Sequence, residues 1–349
     1  MLDIDGSIME GGGQLLRMAT SYSAILGEPI RVFNIRENRR DPGLKPQHLA
    51  TLKAAKLITG AETHGVSIDS REIVFKPKRI RWGDYNFDIG TAGSISLLLQ
   101  CLNPILLYGG RPSRITVRGG TAVNWSPPLP FLQNIIYKAL KGMEAYIKLN
   151  VDRHGFYPRG GGAITQYVDP VESLQPLNLG NPNIKKINGI SLCGALPMHV
   201  AVRQADYAKK KLNELRYKVS IRPVLAEPSP ISPGSFICIW AEGMNVFIGA
   251  DSLGARVKPA EKVGEEAAAK MIKVVRSGAN LDHHTADHII QPASLAEGES
   301  IFTTSMITLH TLTAIEIAKL FTDAEFKVTG REGKPGTIKV KGIGFINED

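Results

Sequence analysis

Three times along the chain a stretch rich in glycine, serine or threonine leads into a helical periodicity and then into a short β-type run. A chain that keeps alternating in this way folds as helices packed on sheets. Gly11-Gly12-Gly13 leads into residues 14–26, which Gly27 stops before the run 30–36. Gly90-Thr91-Ala92-Gly93-Ser94 leads into residues 95–108, stopped by Gly109-Gly110 and followed by 114–120. Thr303-Thr304-Ser305-Met306 leads into residues 307–321, with the run 325–330 after it. The pattern gives an α/β class, and three such units suggest an internal repeat. Any α/β chain alternates, so recurrence alone leaves the repeat open.

Between about residues 170 and 186 the pattern gives way to turn formers, a plausible boundary. Beyond it come a basic helix around 204–218, strands near 219–224, 236–243 and 246–250, and a long helix over 258–278. That suffices for a small α/β insert, after which the repeated pattern resumes near Asn280. The expected organisation is one large domain, residues 1–181 and 278–349, interrupted by a smaller one, residues 182–277.

Composition narrows the partners. Lys and Arg number 42 against 33 Asp and Glu, a net charge of +9, which suits a polyanion and also fits many ordinary proteins. Cys101, Cys193 and Cys238 are widely spaced in apolar runs, so they read as buried free thiols of a reducing compartment. The first residues are acidic and glycine-rich where a signal peptide is basic and then apolar, and no stretch has the uninterrupted apolar length of a membrane span. The expectation is a soluble, cytoplasmic protein.

Five segments can carry chemistry. Glu10 precedes the triple glycine, and a helix bearing Gln14 and Arg17 follows it. Such a turn lets backbone approach a phosphate and aims a helix N-terminus at it, although it is neither a Walker A loop nor a G-x-G-x-x-G fingerprint. Glu10 can hold a divalent ion that escorts a triphosphate. Next, Arg36, Arg39, Arg40 and Lys45 surround a Pro42-Gly43 turn that leads to Gln47-His48: a phosphate clamp, or a solvated charged loop. The stretches Arg118-Gly119-Gly120-Thr121 and Arg153-His154-Gly155-Phe156-Tyr157-Pro158-Arg159 combine arginine, aromatic and glycine, which bind phosphate and stack bases but also make ordinary β-corners. Three of the eight histidines fall in Asp282-His283-His284-Thr285-Ala286-Asp287-His288. On a helix His284, Asp287 and His288 share a face with metal-site spacing, which keeps a metal-dependent hydrolase in play. Last, His310 stands near the start of an apolar helix. It is either a satisfied core residue or a neutral imidazole able to attack phosphorus.

In order and spacing these segments resemble the RNA 3′-terminal phosphate cyclase family over nearly the whole chain. The resemblance rests on Asp5-Gly6 through Glu10, the three glycines, Gln14 and Arg17; on Arg36, Arg39, Pro42-Gly43-Leu44 and Gln47-His48; on Gly90 through Ser94 and Gln100; on Arg118 through Thr121; and on His154 through Pro158 with the glycines after it. It implies repeated βαβαββ-type units similar to enolpyruvyl transferases, with a smaller thioredoxin-like insert.

The likeness also implies a reaction. His310 is the nucleophile that takes AMP from ATP, the adenylate passes to an RNA 3′-phosphate, and the adjacent 2′-hydroxyl closes a 2′,3′-cyclic phosphate and releases AMP. Position by position, Glu10 matches the metal-associated carboxylate, for Mg or Mn. Arg17, Arg36, Arg39, Gln47 and His48 match phosphate and RNA-end contacts. Gln100 with His284, Thr285, Ala286, Asp287 and His288 match ATP contacts, Asp287 orienting His310 or the nucleotide. Where the family often has Tyr and Gln, this chain has His284 and His288. The partners implied are ATP and RNA 3′-phosphate ends, with no membrane; monomer and homodimer both stay open. The rivals are the family's non-catalytic ribosome-assembly relative, expected to lack the nucleophilic histidine, and the metal hydrolase.

Overall fold

The structure, a computed structural model, describes residues 1–347. The first unit comprises β1 (Leu2–Asp5), α1 (Gly13–Leu26), β2 (Ile30–Phe33), α2 (Pro46–Thr59), β3 (Glu62–His64) and β4 (Ile73–Lys76). Its sheet runs β1-β2-β4-β3, with β1 parallel to β2 and the other pairs antiparallel. Gly27 ends α1 in the left-handed region, φ 69°, a conformation that suits a residue without Cβ. α1 is buried along nearly its whole length because α2, α3 and α9 (both bounded below) pack around it. Its small and polar residues, among them Thr20, Ser21 and Ser23, are buried along with its apolar ones.

The second unit repeats the plan with β5 (Asp84–Asp88), α3 (Ile95–Leu107) and β6 (Ser113–Gly119). A helical stretch follows, made of α4 (Leu129–Phe131), a π turn (Leu132–Ile136) and α5 (Tyr137–Lys141), and then β7 (Ile147–Arg153) and β8 (Gly162–Val168). Its sheet order, β5-β6-β8-β7, and its strand directions match the first unit's. Two identical βαβαββ circuits make the repeat a fact of topology.

Residues 183–276 form a different kind of unit: β9 (Asn183–Gly194), α6 (His199–Leu212), β10 (Lys218–Leu225), β11 (Gly234–Met244), β12 (Gly249–Leu253) and α7 (Ala260–Arg276). The sheet runs β10-β9-β11-β12 with β9 and β10 parallel, a thioredoxin-like βαβββα order. It has its own apolar cluster, including Ile187, Ile221, Ile239, Val263 and Met271.

The third unit follows: α8 (His283–Leu295), β13 (Glu299–Thr304), α9 (Leu309–Phe321), β14 (Glu325–Gly330) and β15 (Gly336–Lys341), with sheet order β13-β15-β14. Its first strand is present in two pieces. Asn178 pairs in parallel with Ile301, and Leu281 pairs in parallel with Thr304. Leu179 N–H donates to Ile301 O at 2.8 Å, and Leu281 N–H donates to Thr303 O at 3.0 Å. The chain therefore leaves this strand after residue 180 and rejoins it, in register, at residue 281. Thr303 N–H, which an unbroken strand would satisfy through residue 179, donates instead to Asn280 Oδ1 at 3.0 Å.

This split corrects the phase of the third repeat. The helix after Thr303 to Met306 is not the counterpart of α1 and α3; α8 is, and α9 corresponds to α2. His310, second residue of α9, thus occupies the place that Gln47 holds in α2. The first strand's pieces lie far apart in sequence, so a reading along the chain starts the unit one helix late.

All three cysteines are free and buried, as expected. Among the described residues no helix is long and apolar enough to cross a membrane.

Candidate active site

The repeat brings the starts of α1, α2 and α9 together at one end of the helical layer. Gly12 caps α1 without any side-chain partner, which leaves its first backbone N–H groups directed at an incoming anion. α9 is capped by Thr308 Oγ1, which accepts Thr311 N–H at 3.0 Å.

His310 stands where these starts meet, its side chain 48% exposed. Its Nδ1 lies 2.6 Å from Gln14 Oε1, while Gln14 Nε2 donates to the His310 carbonyl at 3.3 Å. The second bond fixes which way the amide points, so Oε1 is the atom facing the ring. An amide oxygen only accepts; Nδ1 therefore carries the proton, and Nε2 keeps its lone pair. Partial burial and the nearby Arg17 and Arg39 hold the His310 pKa below its ordinary value, which favours the neutral ring.

Glu10 Oε2 is 3.9 Å from His310 Nδ1, and Glu10 makes an ion pair with Arg39. Glu10 N–H also reaches Thr313 Oγ1 at 3.5 Å, tying the glycine loop to α9. Gly11 holds φ 59°, in the left-handed region, and a Cβ on Gly12 or Gly13 would meet the Glu10 carboxylate or His48 Nε2, side-chain ends that would have to move aside. Asn38 Nδ2 donates to Ser7 O at 3.1 Å, fastening the arginine loop beside it.

Arg17 is buried, and desolvation lowers its pKa to about 10, leaving it charged at neutral pH. Its Nε donates to Gln100 Oε1 at 3.0 Å. Its charge lowers the pKa of His48, His288 and His310, which places it centrally among them. His48, lowered to about 3 by burial and then by Arg17, Arg36 and Lys45, is neutral; its Nδ1 accepts Lys45 N–H at 3.1 Å. Gln47 Oε1 accepts Ser94 N–H at 3.0 Å, joining the start of α2 to that of α3. Arg36, at φ 57°, donates to the carbonyls of Asp41 and Gly43 at 2.9 and 3.1 Å and so braces its own loop.

The run in α8 behaves less uniformly. Asp282, which the sequence reading did not single out, caps the helix: it accepts Thr285 N–H at 2.9 Å, Thr285 Oγ1 at 2.8 Å and Gly249 N–H at 2.9 Å. Thr285 and Ala286 are buried, while His284 is exposed, its ring 4.0 Å from that of His283 and edge-on to Phe131. Asp287 accepts from Thr308 Oγ1 at 3.2 Å and from Thr311 Oγ1. It thus braces the cap of α9 next to His310 and makes no hydrogen bond to the ring. Burial raises its pKa to about 7. His288, lowered to about 3 by burial and then by Arg17, lines a cavity with Asp287, Gln100, Asn103 and Tyr137. At about 40 Å³ this cavity is too narrow for a nucleotide.

The expected metal face of His284, Asp287 and His288 does not form. Among the described residues no three His, Cys, Asp or Glu side chains gather as a metal cluster, and the Asp287 oxygens are engaged by α9. Gln14 is the contact the sequence reading passed over. It stood in the quoted motif, and its position in the first turn of α1 is what brings it to the start of α9.

The sequence profile of a family described as RNA 3′-terminal phosphate cyclase matches residues 8–328. The chain is 44% identical to the RNA 3′-terminal phosphate cyclase of Desulfurococcus amylolyticus, covering 99% of both chains. It is 42% identical to that of Pyrobaculum neutrophilum, covering 98% of this chain and 99% of that one. A solved enolpyruvyl transferase, NikO of Streptomyces tendae, aligns at 18% identity and a TM-score of 0.24 over 54% of this chain and 34% of its own, and adds nothing to the topology above. The glycine loop, the arginine loop and the histidine at the start of α9 all fall within the matched residues, and the chain belongs to the RNA 3′-terminal phosphate cyclase family.

Proposed function

We propose that the protein is an ATP-dependent enzyme that converts an RNA 3′-phosphate into a 2′,3′-cyclic phosphate. The observation that carries this reading is the neutral His310 ring, its Nδ1 proton engaged by Gln14 and its Nε2 free, at the meeting of three helix starts.

His310 Nε2 attacks the α-phosphorus of ATP; the bond to pyrophosphate breaks and AMP remains joined through nitrogen. An oxygen of the RNA 3′-phosphate then attacks the same phosphorus, the N–P bond breaks, and RNA(3′)pp(5′)A forms. The 2′-hydroxyl attacks the 3′-phosphorus, AMP leaves, and the ring closes. A phosphomonoester is a poor electrophile, and AMP is a far better leaving group than oxide.

In this scheme Arg17, Arg36, Arg39, Gln47 and His48 hold phosphates of the nucleotide and the RNA end, and the starts of α1 and α9 add fixed positive dipole. Gln100 and residues 284–288 are assigned to the nucleotide, toward which His284 offers an exposed ring and Asp287 braces the cap of α9. Glu10 would hold a divalent cation such as Mg or Mn by exchanging its ion pair with Arg39 for the metal, since an ion carried on a triphosphate needs only one or two protein carboxylates. Bound there it would neutralise phosphate charge. The protein acts in the cytoplasm, in keeping with its free thiols.

The test is incubation with α-labelled ATP and a divalent cation. Wild-type protein takes up acid-labile, alkali-stable label and His310→Ala takes up none; label persisting in the variant would remove His310 as nucleophile.

A further inference from the structure

Trp125, in the loop after β6, is 96% exposed, and Tyr157, in the loop between β7 and β8, is 77% exposed. They are the most exposed aromatic residues among those described. Single exposed rings are ordinary, but these two stand on loops that are firmly braced and fastened to each other. Thr121 N–H donates to Gly155 O at 2.9 Å, and Thr121 Oγ1 accepts Gly155 N–H at 3.0 Å. In the second loop His154 and Phe156 pack with Phe236 of the insert, ring centroids 5.8 to 6.5 Å apart. Arg159 N–H donates to Ser232 Oγ at 3.3 Å, tying the second loop to the insert. Trp125 itself is held at φ 65°, in the left-handed region that bulky residues avoid.

Cations accompany the rings. Arg118 on β6 and Arg153 on β7, the latter just past a register shift after Val151, each pair with Ala163 of β8, and both are exposed, with backbones about 10 Å apart. Arg159 follows Tyr157 by two residues, and all three arginines are exposed.

The loops also lie next to the active site. Gly120 and Gly160 back onto Ala92 so closely that a Cβ on either would come within 3 Å of it, at 2.4 and 2.9 Å. Two residues on, Ser94 binds Gln47. A single loop therefore separates this surface from Gln47 and His48.

We propose that these loops form a platform for the single-stranded RNA behind its 3′ end, with Trp125 and Tyr157 stacking bases and Arg118, Arg153 and Arg159 taking phosphates. Every base has a π-face, so the platform grips the strand without reading its sequence. The role rests on the proposed function for the identity of the RNA end, whereas binding at the platform requires neither ATP nor catalysis.

The first measurement is therefore the affinity for a labelled single-stranded RNA of about ten nucleotides ending in a 3′-hydroxyl. Trp125→Ala with Tyr157→Ala weakens binding about tenfold or more, and Trp125→Phe with Tyr157→Phe restores it because the stacking face is retained. Arg153→Ala with Arg159→Ala weakens binding and flattens its salt dependence. In the second measurement the same alanine pair raises KM for cyclising a 3′-phosphorylated RNA of that length and leaves self-adenylylation, and turnover of a dinucleotide 3′-phosphate, unchanged. Unaltered RNA affinity in the aromatic variant overturns the platform, as does an equal loss on the dinucleotide. Wild-type protein that binds RNA through these rings yet takes no label from ATP would count against the proposed function and leave the platform standing.

Discussion

His310 depends on a neighbour that chemistry alone would not have nominated. Gln14 holds the Nδ1 proton in place, and in the proposed reaction, where the ring gains positive charge on attacking phosphorus, this hydrogen bond would become charge-assisted. Such a bond is worth about 1.5 to 3 kcal/mol, so Gln14→Leu is expected to slow self-adenylylation roughly 10- to 100-fold with the protein still folded. Gln14→Glu places a negative charge against the ring and favours its protonated form. The pKa of His310 then rises from its lowered value, and the acid limb of the rate profile moves to higher pH, which single-turnover labelling across a pH series would reveal. His310, the arginines and Glu10 stood out in the sequence as residue types suited to phosphate, and His310 and Glu10 lie together at the helix starts. Gln14 did not stand out, because its importance comes from a side chain that sits nearly 300 residues away in sequence.

Among the elements, the first strand of the third unit shows where sequence reading stops. The alternation of helix and strand was readable because burial on one face imposes periodicity. The phase of the third repeat was not, because its opening strand is assembled from residues 177–179 and 281 and no local pattern joins them. Asn280 completes the join. Its Nδ2 donates to Gly180 O at 2.7 Å and Asn245 O at 2.8 Å, and its Oδ1 accepts from Thr303 N and Oγ1 at 3.0 and 2.8 Å. Asn280→Ala leaves several buried backbone groups without partners and is expected to cost about 2 to 4 kcal/mol, measured as a fall in the urea midpoint. A variant as stable as wild type would show that water replaces these bonds.

At the scale of the whole molecule, buried titratable groups make stability depend on pH. Burial lowers His48 and His288 to about 3 and His154 and His283 to about 4. Unfolded histidines bind protons near pH 6.5, so below that value the unfolded chain holds more protons and stability is lost as pH falls toward 3. Asp251, Asp282 and Asp287, raised to about 6, about 6 and about 7, act in the opposite sense: the stability they contribute is present in acid and lost as pH rises from about 4 through those values. His284 and His310 are lowered as well, so six histidines outweigh three carboxyls, and unfolding free energy at pH 5 should lie below that at pH 7.5 by an amount on the order of several kcal/mol, as equilibrium denaturation would show. The interrupted strand also bears on the order of assembly. A ribosome delivers one half of it roughly a hundred residues before the other, and closing so long a span is entropically costly until the intervening unit has folded and drawn its own ends together. Since α8 and α9 hang from that sheet, a lesion that slows the intervening unit would delay the arrival of His310 beside Glu10, and newly made protein would pass through a folded but inert interval.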